Sequence, residues 1–283
     1  MEFTRTGTRD LAGHRRAGLA SVWIAAVLVA GTACSPSPET ANTSNASNSA
    51  IATNTAPVVD TGEQAYGRAA MRLQIKYTPE RTVTGGVAFA VDAPGGPIVI
   101  TSAHIVATMS KGKKLESVAI VDGVTREPLC RTLGVVWAGT AFEGYDFSKD
   151  VTALAVDGLP DSVSRLRLAA DRPALGAKVR ILGVPSDGSS AQIAIDGVVT
   201  VATSVRYEID IDPAVKGRGL AGSAIVLVDS GQVIGVVQAV TAKQGRAFVI
   251  ATPSEAFLKL LPTAKPAVQP ISVWTGVPPT KGN

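Results

Sequence analysis

An all-β fold, closed as a barrel or paired as a sandwich, is what the sequence predicts, and three observations predict it. Short apolar or alternating runs, about a dozen of them, follow one another from position 86 to 251. Gly, Pro, Asp and Asn punctuate the gaps between them. Helical signals are confined to one stretch near the end, so strands do not alternate with helices as a parallel sheet would require.

In chain order the runs are "GVAFAV", "PIVIT", "SVAIV", "LGVVW", "VTALAV", "RLRL", "KVRILG", "QIAIDGVVTV", "VRYEIDI", "AIVLV", "QVIGVV" and "AFVIA". Each is short enough for a strand and too short for a core helix. The stretch "TPSEAFLKLL" then reads as a short C-terminal helix, with Thr252 as its N-cap, Pro253 in the first turn and Glu255 at the capping-box position.

The flanks are of different composition. Positions 1–33 carry a basic stretch through His14, Arg15 and Arg16, then the apolar run "LASVWIAAVLVAG", then small residues leading to Cys34. That order predicts a targeting segment, and its apolar run is too short for a membrane span. It resembles the bacterial lipoprotein signal, which implies export, lipidation of Cys34 and anchoring to the cell membrane or envelope; Gly31 departs from the leucine-like residue usual three places before the cysteine. A plain secretory signal with a chance cysteine is the alternative. Positions 34–63 are rich in Ser, Thr, Asn, Pro and Ala and read as a flexible tether. The folded domain is expected over 64–262, and the Pro-rich stretch 263–283 reads as an irregular tail on which Ile271, Val273 and Trp274 could still dock.

Composition narrows the function classes. With 46% hydrophobic and 18% charged residues over 283 positions, the chain has ample material for a core. Net charge is +4, half of it from the first 33 residues, so the rest is near neutral and no nucleic-acid patch is evident. Cys130, the only cysteine besides Cys34, lies beside an apolar run and reads as a small core residue. No metal or cofactor is implied.

Two histidines are present, and His14 lies in the targeting segment, which leaves His104 in "TSAHIV" for chemistry. A lone histidine is by default structural. Here it is followed in order by Asp150 in "SKDVTALAV" and by the glycine loop "GRGLAGSAIV". This order resembles the trypsin-like (chymotrypsin-fold) serine peptidases, in particular their bacterial HtrA-like branch, over about residues 66 to 262. "GGVAFAV" before the histidine, "EIDID" upstream of the loop and the "DSGQVIGVV" hairpin after it add to the likeness.

The resemblance implies two six-stranded antiparallel β-barrels. It also implies that His104 is the general base, Asp150 the residue that orients it, and the N–H groups of Gly219 and Ala221 the oxyanion donors. Where that family carries its nucleophilic serine, this sequence has Ala221. Two readings of the register stay open: Ala221 marks a lost nucleophile, or a rearranged loop makes Ser223 the nucleophile. Asp146 rivals Asp150 but is not followed directly by the apolar strand. The specificity pocket is expected around Asp212 to Lys216, where Lys216 and Arg218 either meet an acidic group or form a solvated loop. Three functions follow: a non-catalytic protease homologue that binds peptides or envelope proteins, an active serine endopeptidase using Ser223, and a structural envelope domain without a ligand.

Overall fold

Strands whose residues are buried on both faces mark where two barrels meet. The computed structural model describes residues 62–110, 113–215, 217, 219–261 and 267–277, so the targeting segment, Cys34, most of the tether, Lys216 and Arg218 lie outside the described residues. A short helix α1 (Glu63–Tyr66) precedes strands β1 (Ala70–Thr78), β2 (Arg81–Ala93) and β3 (Gly96–Thr101), helix α2 (His104–Ser110), and strands β4 (Lys114–Val121), β5 (Pro128–Trp137) and β6 (Thr152–Asp157). These six strands pair in the order β1-β4-β5-β6-β3-β2, and β2 returns to β1 to close the first barrel.

After the two-residue strand β7 (Arg165–Leu166), the second barrel is built from β8 (Lys178–Gly183), β9 (Ile193–Ala202), β10 (Tyr207–Ile211), β11 (Ala224–Leu227), β12 (Val233–Lys243) and β13 (Arg246–Pro253). It closes in the order β10-β13-β12-β11-β8-β9. Helix α3 (Ser254–Leu258) follows directly. The fold is thus all-β, two six-stranded antiparallel barrels with a short helix after the last strand.

The core follows from strand patterning. In β1, Leu73, Ile75 and Tyr77 point into the first barrel while Gln74 and Lys76 face outward, the period of two that a strand imposes. β3 and β6 show no such alternation, because one face lines the first barrel and the other packs against the second. There Phe89, Ile98, Ile100 and Val151 meet Leu182, Val226, Val236 and Phe257 in one apolar cluster shared by both barrels.

Four details depart from the sequence reading. β1 is a full barrel strand, although its cations break up the apolar run. The "RLRL" run supplies only β7, which pairs in parallel with β2 outside the closed barrel. Thr252 is not the N-cap of α3: Pro253 holds that position without a side-chain cap, and the Thr252 hydroxyl is buried in a hydrogen-bond network at the barrel interface. Glu255 makes no capping box either, since its carboxylate accepts from Arg172 at 2.6 and 3.1 Å.

The stretch 267–277 runs back over the first barrel. Val135 and Gln269 exchange backbone hydrogen bonds at 2.8 Å, and the Ala141 N–H donates to the Gly276 carbonyl. Trp274 is fully buried among the first barrel's core side chains. The docking foreseen for Trp274 thus carries the folded region past position 262, while Val273 stays on the surface.

Candidate functional site

The site begins where β3 ends. Thr101 and Ser102 are buried, and their hydroxyls donate to the carbonyls of Val87 and Val237, so the turn "TSAH" is pinned to β2 on one side and to the second barrel on the other. His104 opens α2 from this turn. Its backbone N–H donates to Asp150 Oδ1 at 2.8 Å and its Nδ1 lies 2.9 Å from Asp150 Oδ2, so a single carboxylate grips both backbone and ring. The Asp150 side chain is fully enclosed and that of His104 is 17% exposed. With Nδ1–H directed at the carboxylate, Nε2 is the ring nitrogen left for other work. The structure brings together His104 and Asp150, not Asp146, whose carboxylate accepts from the backbone and hydroxyl of nearby Ser148.

Asp150 is itself held in place. Its backbone carbonyl accepts from Gln238 Nε2 at 2.6 Å, and the same amide donates to Thr252 Oγ1, which donates onward to the Phe147 carbonyl. Gln238 and Thr252 come from the second barrel, so that barrel positions the carboxylate of the first. Phe142 stands edge-on to the His104 ring at 6.1 Å and stacks on Phe147 at 4.4 Å. Beneath the turn, Trp274 Nε1 donates to the Ala103 carbonyl at 2.9 Å. Ser102, Phe142, Gln238, Thr252 and Trp274 were not singled out for the site by sequence; a glutamine inside the apolar run "GVVQAV" is the one local signal that could have pointed to Gln238.

The glycine loop of the second barrel packs against β2 and Thr101 of the first. Gly219 and Gly222 have φ of +87° and +91°, conformations that side chains disfavour. A Cβ on Gly222 would collide with the Val87 carbonyl and stand 2.6 Å from Thr101 Oγ1, so the barrels meet here at a distance only glycine allows. Between the two glycines, the carbonyl of Ala221 accepts from Val87 N–H at 2.7 Å and its side chain packs against the first barrel's core cluster. Among the described residues, the N–H groups of Gly219 and Ala221 have no hydrogen-bond acceptor.

Ser223 lies differently. It is fully buried, its N–H donates to the Leu220 carbonyl, its carbonyl accepts from Val237, and its hydroxyl has no hydrogen-bond partner, His104 included. In the expected specificity region, Asp212 Oδ1 is engaged by the Ala214 N–H, and Val215 packs on the second barrel's core. Val240 fills the space beside Gly217, where a Cβ would collide with it.

From Ala239 to Lys243, β12 pairs with β13 along one edge, whereas β11 pairs only with Val233, Gly235 and Val236. The other edge of this half of β12 has no strand partner among the described residues. A cavity of about 850 Å³ lies against this half of β12 and extends over β13, lined by Tyr145, Phe147, Arg206, Thr241, Lys243 and Phe248 among others. Tyr145 is 78% exposed, with the Arg206 guanidinium 4.9 Å from its ring centre. Away from this region, Cys130 is half-buried against the first barrel's core rather than inside it as expected, and burial pushes its thiol up to about 11.

No family model matches the chain, and no curated protein matches it in sequence. Solved structures do. The active form of the Rv3671c protease from M. tuberculosis is 23% identical, with 76% of this chain and 88% of that chain covered and a TM-score of 0.53. A thermostable serine protease, AL20, from an extremophilic microorganism is 13% identical, with 69% and 95% covered and a TM-score of 0.53. The chain therefore has the double-barrel fold of trypsin-like serine proteases.

Proposed function

We propose that this chain is a protease homologue that has given up hydrolysis and binds extended peptides or protein segments along the free edge of β12. The observation that carries this reading is the occupant of the glycine loop. A methyl group, that of Ala221, stands between two left-handed glycines, facing the barrel that holds His104 and Asp150. An acyl-enzyme route needs a hydroxyl there, activated by a base. The nearest serine in sequence, Ser223, has its hydroxyl sealed inside the protein with no base bonded to it.

What remains suits recognition. An extended chain can add to an unpaired strand edge through backbone hydrogen bonds, with side chains falling into adjoining pockets. The half of β12 after Gln238 offers such an edge, and the aromatic cavity beside it offers such a pocket. The same reading includes export and a lipid anchor on Cys34, carried by the signal-like residues ahead of it. Cys34→Ser should then release the protein from membranes or leave its signal uncleaved, and unchanged partitioning and processing would end that part of the reading.

Ala221→Ser tests the core of it. If only the reacting atom is missing, this variant acquires a serine that reacts with a fluorophosphonate label and hydrolyses peptides, because base, orienter and oxyanion donors supply most of the remaining rate. The wild type should show no turnover above a His104→Ala control. Wild-type hydrolysis that vanishes in Ser223→Ala and survives in Ala221→Gly would overturn the proposal in favour of an active enzyme.

A further inference from the structure

One cation lies at the back of the glycine loop with no part in the machinery described so far. Arg72, in β1, is 3% exposed. Its Nη2 donates to the carbonyls of Val184 and Pro185 at 2.5 and 2.7 Å, which ties the guanidinium to the loop following β8. Its Nε is buried without a partner. Its Nη1 lies 3.6 Å from where a Cβ on Gly219 would stand, beside the residue whose N–H is free.

Other charges gather around it. Arg126 places Nη2 3.3 Å from the Cβ position of Gly188, and its Nη1 is buried and unpartnered. Arg68 pairs with Asp122. The charges that act on Arg72 are the Arg126 guanidinium and, opposing it, the Asp187 carboxylate. Burial, and then Arg126, bring the Arg72 guanidinium down to about 10, so it remains charged at neutral pH in a setting that disfavours its charge. A buried cation short of partners is stabilised by any anion that reaches it.

We infer that this site takes the C-terminal carboxylate of a peptide, received by the Gly219 and Ala221 N–H groups with Arg72 supplying the compensating charge. The inference rests on the proposed peptide-binding role and names its ligand class. An internal peptide carbonyl carries only a partial charge and needs the two N–H groups alone. A terminal carboxylate carries a full charge and a second oxygen, for which a neighbouring guanidinium is the complementary group. Without a hydroxyl at position 221, nothing at that position competes for the place such a carboxylate occupies. Because Val240 fills the space beside Gly217, the residue bearing the carboxylate should be small.

Calorimetric titration of the full chain with N-acetyl-trialanine, with its C-terminal amide and with acetate tests this. The acid should bind at least about tenfold more tightly than the amide, and acetate should bind far more weakly than either peptide, a tenfold ratio being about 1.4 kcal/mol. Arg72→Gln should erase the preference for the acid, and Arg72→Lys should retain part of it. Acid and amide binding equally would overturn the carboxylate assignment while leaving the peptide groove standing. Acetate matching the acid would show a bare anion site and overturn the peptide part. Binding of neither peptide would overturn both this inference and the role it rests on. Should Arg72→Gln fail to fold, the wild-type comparison of acid with amide, together with Arg72→Lys, still decides.

Discussion

Gly222 shows how much of this site depends on the absence of a side chain. Its φ of +91° and the Val87 carbonyl against its α-carbon leave room for hydrogen alone. Gly222→Ala should therefore cost about 3 kcal/mol or more, combining a disfavoured backbone with a direct collision, and chemical denaturation would measure it. Gly219→Ala has a similar φ but more open surroundings, so its loss should be the smaller of the two. At this scale the sequence was informative where chemistry requires a rare residue: His104, Asp150 and the glycines carry their signal in identity and order. Ser102 and Thr252 carry none, because a buried hydroxyl acquires its role only from the carbonyl that folding brings to it, and Gln238 shows only as a polar residue inside an apolar run. Thr252 illustrates the error this produces, since its position before "PSEAF" fits a cap and its hydroxyl is used elsewhere.

Among the elements, the returning segment 267–277 has the largest effect on the site. It inserts the Trp274 indole into the first barrel and bonds the carbonyl one residue before His104, while a Cβ on Gly276 would collide with that same carbonyl. Trp274→Ala should lower stability by about 3–5 kcal/mol through the void it leaves. Trp274→Phe should fill most of the space yet remove the indole donor from the buried Ala103 carbonyl, at about 0.5–1.5 kcal/mol. Urea unfolding of the two variants separates packing from the hydrogen bond; equal losses would assign the whole effect to the hydrogen bond. The strands were legible because their inward residues repeat with period two. The returning segment was not, because proline-rich backbone docks through a few anchors rather than through any periodicity. β1 escaped notice for a related reason: Arg72, Gln74 and Lys76 interrupt an apolar run while preserving the alternation that makes it a strand.

Across the whole molecule, the two barrels are joined by more than contact. The cluster around Phe89, Ile100, Leu182 and Val236 belongs to both, Val87 bonds Ala221, and Gln238 ties Asp150 to the second barrel. Neither barrel can expose this interface without losing core, so we expect one cooperative transition, with calorimetric and van't Hoff enthalpies in agreement. Two resolved thermal transitions would show instead that each barrel keeps a sufficient core of its own. The buried indole adds a constraint on time as well as on space. Trp274 and the carbonyl it bonds are 171 positions apart, so a ribosome finishes the strands of the first barrel long before it supplies the side chain that fills them. The barrel that is synthesised first is thus completed last, and while the second barrel is being made, the apolar slot under the histidine turn stands open as an aggregation hazard for the nascent chain.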